Sequence, residues 1–177
     1  MVPQTWQNPA MTCDYALHLT SHAPEDTAAI AARLGAGLGA GDVVLLSGPV
    51  GAGKSLFARA LIQARLAELG RFEDVPSPSF TLVQTYDLDD VTLWHADLYR
   101  LGDPQDYVEL GLDEAFEDAI CVIEWADRLG PLTPPGALHL TLTPGEGADT
   151  RHLMFHSRNA DWRARIAALA EGERHGG

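Results

Sequence analysis

Residues 43–62 constrain the fold of this chain more strongly than any other part of its sequence. Positions 43–46 form an unbroken apolar run, VVLL, which is typical of a strand buried on both faces. The residues that follow, GPVGAGKS at 48–55, fit the pattern G-x-x-x-x-G-K-[ST], and good helix formers continue through 56–62. Strand, glycine-rich loop and helix therefore occur in the order that gives this pattern its structural meaning.

The loop between this strand and helix is suited to a phosphate group. Its glycines let the backbone curl so that successive N–H groups point inward. The helix that begins there adds free N–H groups and the positive end of its dipole. Lys54 can reach the outer phosphates, and the Ser55 hydroxyl can bind Mg²⁺. We therefore predict a nucleoside triphosphate site; the alternative is an ordinary glycine-rich turn between a strand and a helix.

The apolar and turn patterns elsewhere predict an α/β domain with a P-loop NTPase-like, three-layer fold. A second continuous apolar strand is expected at 119–124, and it is suited to a parallel sheet. Two β-hairpins are expected at 82–95 and 138–155, where strand formers flank turn residues. The sheet should therefore be mixed, with a parallel core and antiparallel hairpins.

The length and charge of the chain bear on its organisation and on its partners. With 177 residues the chain suggests one domain, which we expect at 13–171 between flexible tails at 1–12 and 172–177. The net charge of −13 argues against direct binding of nucleic acid through a large basic face. It allows a protein partner with a basic surface, although acidity that only aids solubility is an equal alternative.

The sequence gives no sign of secretion or of membrane insertion. No apolar run approaches the ~20 residues of a membrane span. The N-terminus lacks a basic region followed by an apolar core, so no signal peptide is expected. The two cysteines, Cys13 and Cys121, lack a metal-type spacing, and the seven histidines are interpreted mainly as structural or surface residues. The cytoplasm, which keeps thiols reduced, is the simplest setting.

Two carboxylates stand at the ends of predicted strands. Glu124 ends the apolar strand at 119–124, and Asp97 ends the second strand of the first hairpin. Ligands of open α/β sheets bind beyond the carboxyl ends of the parallel strands, so we expect both acids to lie near the P-loop. Either acid can hold Mg²⁺ or position a water, and the sequence leaves that choice open. The alternative for each is a solvated acid at a strand end.

The segment VPSPSFT at 75–81 is predicted to be an extended, stiff loop, because its two prolines exclude a helix. Its three hydroxyls, on Ser77, Ser79 and Thr81, can face a phosphate or a bound water, and a simple linker is the alternative. Trp125, directly after Glu124, is either a core tryptophan or a wall of the ligand site.

The strings GPVGAGKS, SPSFTLV, HADLYRL and IEW occur in an order and at intervals that resemble the TsaE family, also called YjeE. The resemblance covers about residues 20–143. Many ATPases share the P-loop, whereas its combination with the other strings is much more specific. The resemblance implies a bacterial P-loop ATPase of tRNA threonylcarbamoyladenosine synthesis, with ATP hydrolysis coupled to a complex of TsaD and TsaB. It implies that tRNA is contacted only indirectly, through that complex, and that the ATPase does not transfer the carbamoyl group.

The resemblance also implies roles for individual residues. Lys54 would contact the terminal phosphates of ATP, and Ser55 would bind Mg²⁺. Glu124 would be the Mg²⁺-associated acid, and Asp97 the acid beside the γ-phosphate or its attacking water. The phosphate-binding amides would belong to Val50, Gly51, Ala52, Gly53, Lys54, Ser55 and Leu56.

A switch and an adenine site are also expected from the resemblance. Ser79 or Thr81 would sense the γ-phosphate. The chain departs from the family where Ser55 and Ser79 replace a usual threonine, but both keep a hydroxyl and function should persist. Adenine contacts are not readable in the sequence, and their candidates are the turn at 21–25 and the region around Arg151.

Two other functions remain open. Short P-loop chains often phosphorylate metabolites, but a small-molecule kinase usually carries an arginine-bearing lid over the phosphates. The span from Lys54 to Glu124 shows no evident lid; its arginines are Arg59, Arg65, Arg71 and Arg100. The second alternative is a nucleotide-dependent binding switch with negligible turnover. Because no clear arginine finger is visible, an ATPase of this sequence should be weak alone and completed by partners.

Overall fold

Strands within the described part of the chain form one sheet. The computed structural model describes residues 15–171, so both predicted tails and Cys13 lie outside the described residues. The sheet has seven strands in the order β1-β7-β6-β2-β5-β4-β3. They are β1 Tyr15–Ser21, β2 Val43–Ser47, β3 Val83–Asp87, β4 Thr92–Asp97, β5 Ile120–Glu124, β6 Leu138–Pro144 and β7 Arg151–Ser157.

The sheet combines a parallel centre with antiparallel edges. The neighbours β6, β2, β5 and β4 run parallel. The pairs β1–β7, β6–β7 and β3–β4 are antiparallel, and the last two are the hairpins expected from the sequence. The prediction of an α/β, P-loop NTPase-like fold with a mixed sheet is confirmed.

Helices cover both faces of the parallel centre. Successive side chains of β2 point to opposite faces, so Val44 and Leu46 belong to one core cluster, whereas Val43 and Leu45 belong to the other. The first core is shared with α1, α2 and α5, and the second with α3, α4 and a 3-10 segment, which makes three layers. These elements are α1 Pro24–Ala36, α2 Lys54–Glu68, α3 Pro104–Glu109, α4 Leu112–Asp118, the 3-10 segment Ala126–Leu132 and α5 Trp162–Glu171.

Glycines set the path of the P-loop between β2 and α2. Gly48 has a φ of +140°, and a Cβ placed on it would lie 2.2 Å from the carbonyl oxygen of Leu142 at the end of β6. Gly53, with a φ of +105°, immediately precedes α2. Only glycine adopts such conformations without strain, so the loop can pass close to β6 and turn directly into the helix. The helix then ends near Gly70, the predicted stop, whose φ is +70°.

The segment at 71–82 carries no helix or strand, as its prolines indicate, but it is not extended throughout as predicted, because residues 79–81 form a turn closed by the Leu82 N–H donating to the Pro78 carbonyl. It crosses from α2 to β3 beside the ends of the parallel strands. The helices of the described residues include none that is long and apolar enough to cross a membrane.

Candidate functional site

The P-loop and both strand-end acids line one cavity of about 420 Å³. The register of the sheet explains this convergence, because Glu124 lies opposite Leu46 in β2 on one side and opposite Asp97 in β4 on the other. The cavity is therefore at the carboxyl ends of the parallel strands. It is lined by Val50, Gly51, Gly53, Lys54, Ser55, Leu56, Ser79, Asp97, Tyr99, Glu124 and Trp125. Of the predicted phosphate-binding residues, Ala52 is not among them, since its side chain is buried under the loop.

Lys54 brings a positive charge to the cavity. Its Nζ donates hydrogen bonds to the carbonyl oxygens of Gly48 at 2.7 Å and Pro49 at 2.8 Å, and lies 3.8 Å from the centre of the Trp125 ring. Burial lowers the pKa of Lys54, while the nearby carboxylates, first of all Glu124, act to raise it. The ammonium group is thus held at the loop by carbonyl oxygens and an aromatic face.

Ser55 and Glu124 are directly connected. The Ser55 hydroxyl donates to Oε2 of Glu124 at 2.7 Å, which joins the start of α2 to the end of β5. Glu124 is 1% exposed, and its Oε1 lies 2.8 Å from Nε2 of His95, which is also 1% exposed. The oxygens of the two residues expected to bind Mg²⁺ are therefore within hydrogen-bond distance of each other.

Asp97 receives the hydroxyls of the proline-rich loop. Its Oδ2 accepts hydrogen bonds from Ser77 and from Ser79, both at 3.1 Å, and its Oδ1 accepts from the Tyr99 N–H at 2.9 Å. Ser77 also reaches Oε1 of Glu124 at 3.4 Å. The loop at 75–81 is thus tied to both acids through two serines.

The two switch candidates are placed differently. Ser79 lines the cavity, whereas Thr81 is exposed and accepts a hydrogen bond from the Gln84 side chain at 3.2 Å. The structure therefore brings Ser79 to the acids and leaves Thr81 outside the cavity lining.

Trp125 forms a wall of the cavity. It has a left-handed backbone, with a φ of 57°, which is uncommon for a residue with a bulky side chain. Its ring lies 4.8 Å from that of Tyr99, and it also packs against the second core cluster. The conformation turns the chain sharply after β5 and keeps an aromatic face beside Lys54.

Sequence reasoning named Ser77 only as one of three hydroxyls in its loop, and it did not single out His95 or Tyr99 as a site residue. His95 precedes Asp97 by two positions in β4, so both side chains lie on the same face of the sheet. That spacing from a strand-end acid could have indicated that His95 lies near the site. The partner of His95 is on the neighbouring strand, however, and a single sequence does not reveal strand order.

The donor set of the cavity fits a magnesium nucleotide. The first intrahelical bond of α2 comes from the Phe57 N–H to the Gly53 carbonyl, so the amides of Lys54, Ser55 and Leu56 stand before it at the helix start. No group of three or more His, Cys, Asp or Glu within residues 15–171 can hold a metal ion. Mg²⁺ in nucleotide sites is commonly bound by one or two protein oxygens together with phosphates and water, and Ser55 with Glu124 supplies such a pair.

The candidate regions for adenine lie next to each other. Ser21, where the turn at 21–25 begins, pairs with Arg151 in the β1–β7 register. The Arg151 guanidinium donates to the Ala148 and Thr150 carbonyls at 2.9 and 2.8 Å, and to the Gly51 carbonyl of the P-loop at 3.4 Å. Arg151 thus links the start of β7 to the P-loop.

Known proteins are similar to this chain in sequence and in fold. Residues 21–153 match the family model described as threonylcarbamoyl adenosine biosynthesis protein TsaE. The chain is 37% identical over 123 residues to the tRNA threonylcarbamoyladenosine biosynthesis protein TsaE of Rickettsia conorii, covering 70% of this chain and 69% of the relative. It is 35% identical over 133 residues to the protein of the same name from Bacillus subtilis, covering 75% and 80%.

A solved structure gives the same answer for the fold. The crystal structure of Bacillus subtilis YdiB matches with a TM-score of 0.72 and 28% identity, covering 90% of this chain and 97% of that chain. The family that the sequence motifs resembled is confirmed by these matches. The chain therefore belongs to the TsaE family and has a role in tRNA threonylcarbamoyladenosine biosynthesis.

Proposed function

We propose that this protein is a cytoplasmic, Mg²⁺-dependent ATPase that binds a complex of TsaB and TsaD and sustains repeated turnover of tRNA modification. The observation that carries the proposal is the convergence of Lys54, Ser55, Asp97 and Glu124 on one cavity at the strand ends. A P-loop alone binds a nucleotide, whereas hydrolysis also needs acids that place Mg²⁺ and an attacking water.

The contacts of the two acids support a division of labour. Glu124 accepts from Ser55, so these two oxygens would hold Mg²⁺, which neutralises charge on the phosphate oxygens when bound. Asp97 accepts from Ser77 and Ser79 and would orient the attacking water. Lys54 and the first amides of α2 would hold the phosphates. Ser79 would sense the γ-phosphate, because it lines the cavity and donates a hydrogen bond to Asp97.

Partner proteins would complete this site. Among residues 15–171, those that line the cavity include no arginine to stabilise charge in the transition state. Turnover by the isolated chain is therefore expected to be weak. The net charge of −13 suits a basic protein surface better than tRNA itself, so tRNA would be reached through TsaB and TsaD.

The test is multiple-turnover formation of threonylcarbamoyladenosine by TsaB and TsaD, with and without this chain, ATP and Mg²⁺. We expect modification to stop after about one cycle when any of the three is omitted. Modification that proceeds unchanged without the chain, in an assay shown to be competent, would refute the proposal.

Two further measurements distinguish the proposed ATPase from a kinase and from a binding switch. A kinase would transfer the phosphate to a small acceptor, on which it would be recovered. A binding switch would tolerate Glu124→Ala, with nucleotide binding and partner function both retained. The proposed ATPase requires instead that Glu124→Ala lose hydrolysis and sustained modification together.

A further inference from the structure

His95 is a buried histidine directly behind the acid Glu124. It lies in β4, where it pairs in register with Val122 of β5, two residues before Glu124 on the neighbouring strand. Its Nε2 is 2.8 Å from Oε1 of Glu124, and both side chains are 1% exposed. His95 does not itself line the cavity, so its effect on any ligand must pass through Glu124.

The two oxygens of the Glu124 carboxylate have different partners. Oε1 faces His95 and, at 3.4 Å, the Ser77 hydroxyl, whereas Oε2 faces the Ser55 hydroxyl at 2.7 Å. A carboxylate fixed at both oxygens cannot rotate freely about its terminal bond. The contact with His95 on one oxygen therefore helps to fix the orientation in which the other oxygen meets Ser55.

Packing alone does not explain a histidine at this position. A carboxylate oxygen only accepts hydrogen bonds, so Nε2 of His95 donates in this contact and Nδ1 is the ring nitrogen that remains. That Nδ1 is buried and has no hydrogen-bond partner within the described residues. Leaving a buried polar atom unpaired is unfavourable, and Leu93, on the same face two residues earlier, shows that an apolar side chain fits this layer.

We propose that His95 is a positioning residue that orients the Glu124 carboxylate toward Ser55 and so sets how strongly Mg²⁺ enhances ATP binding. This inference rests on the proposed ATP and Mg²⁺ site. Hydrogen-bond partners behind metal ligands characteristically fix the ligand's orientation, and their loss lowers metal affinity by about 10- to 100-fold.

The experiment compares binding of a fluorescent ATP analogue with excess Mg²⁺ and with EDTA. In His95→Leu we expect the Mg²⁺ enhancement of affinity to fall by about tenfold, while binding in EDTA stays within about twofold of wild type. His95→Gln, whose longer amide places an N–H near the position of Nε2, should restore most of the enhancement. Leu93→Val is the matched control, because it alters the same buried layer without touching Glu124; it should lower thermal stability and leave the enhancement unchanged.

A second readout needs neither nucleotide nor metal and covers the case in which His95→Leu does not fold. The histidine ¹⁵N spectrum of the wild-type protein should show His95 protonated at Nε2. An Nε2 that carries no proton, or an unchanged Mg²⁺ enhancement in folded His95→Leu, would overturn this inference alone. A wild-type protein whose ATP binding is not enhanced by Mg²⁺ would overturn the proposed function and this inference with it.

Discussion

Lys54 has the surroundings of a phosphate-binding lysine. It is 4% exposed, and this burial lowers its pKa, while the carboxylates Glu124, Asp127 and Asp97 act to raise it. Its stabilising partners are the Gly48 and Pro49 carbonyls and the Trp125 ring, which leaves its charge available at the cavity.

We expect Lys54→Ala to abolish measurable ATP turnover and to weaken ATP binding by about 10- to 100-fold, because a lost hydrogen bond to a charged group costs about 1.5–3 kcal/mol. Isothermal titration with an ATP analogue and a phosphate-release assay would measure both effects. Arg65→Ala removes the same charge from the far end of α2, where Arg65 contacts the Gly35 carbonyl, and should leave both quantities near wild type. Wild-type turnover in Lys54→Ala would show that the site is assigned wrongly.

Single residues were predictable from the sequence where a motif or a strand end placed them. Lys54 and Ser55 follow from the P-loop pattern, and Asp97 and Glu124 from the rule that parallel strands end at one edge. The sequence interprets His95 mainly as a structural or surface residue, because no two histidines have a metal-site spacing on a helix. Its contact with Glu124 depends on the adjacency of β4 and β5. That adjacency is a long-range property, and no local pattern encodes it.

At the scale of elements, the P-loop depends on a close approach to β6. Gly48→Ala would place a Cβ 2.2 Å from the Leu142 carbonyl at a φ of +140°, so the loop or the end of β6 must shift. We expect a loss of unfolding free energy of more than about 3 kcal/mol, measured by urea denaturation. Gly51→Ala is the control, because its φ is also positive, at +77°, but nothing lies within 4 Å of the added carbon. It should cost only about 1–2 kcal/mol, and equal losses in both variants would contradict the steric explanation.

The proline-rich loop offers a test of the switch candidates. Ser79→Ala removes a hydrogen bond to Asp97, so we expect kcat for ATP to fall by about tenfold with little change in KM. Thr81→Ala, at an exposed position outside the cavity lining, should behave as wild type in the same steady-state assay. A larger effect at Thr81 than at Ser79 would mean that the loop rearranges when nucleotide binds.

Helices and strands with a clear apolar pattern, or with glycine or proline at their ends, were predictable from the sequence. For irregular segments only the absence of a helix was predictable. The hairpins, the P-loop helix and the apolar strands appear where alternation, glycines and prolines indicated them. The loop at 75–81 lacks a helix, as its prolines indicate, but residues 79–81 form a turn where extended backbone was predicted. Which hydroxyl faces the acids depends on backbone angles that prolines restrict but do not fix. Only the structure distinguishes Ser79 from Thr81.

At the scale of the whole molecule, the strands that carry the site differ from β6 and β7 in what packs on the second face of the sheet. The helices α3 and α4 and the 3-10 segment pack on the second face of the sheet around β2, β5 and β4. On the antiparallel pair β6–β7, His139 of β6 and His156 of β7 stack on each other, with ring centres 4.7 Å apart. Burial lowers the pKa of His139 to about 4, with further contributions from His156 and Arg158, and burial also lowers the pKa of His156.

This histidine pair should make the stability of the whole protein depend on pH. Both rings have a lower pKa in the folded state, so below the unfolded value of about 6.5 the unfolded chain binds more protons than the folded one. The stabilising contribution is therefore complete above pH 6.5 and is lost as the pH falls toward 4. After allowance for the partial exposure of the rings, we expect this loss to be on the order of 1 kcal/mol, measured by urea denaturation across that range. His139→Thr should flatten the slope between pH 6.5 and 4, whereas His152→Thr, at an exposed position of β7, should not. An unchanged slope in His139→Thr would contradict this account.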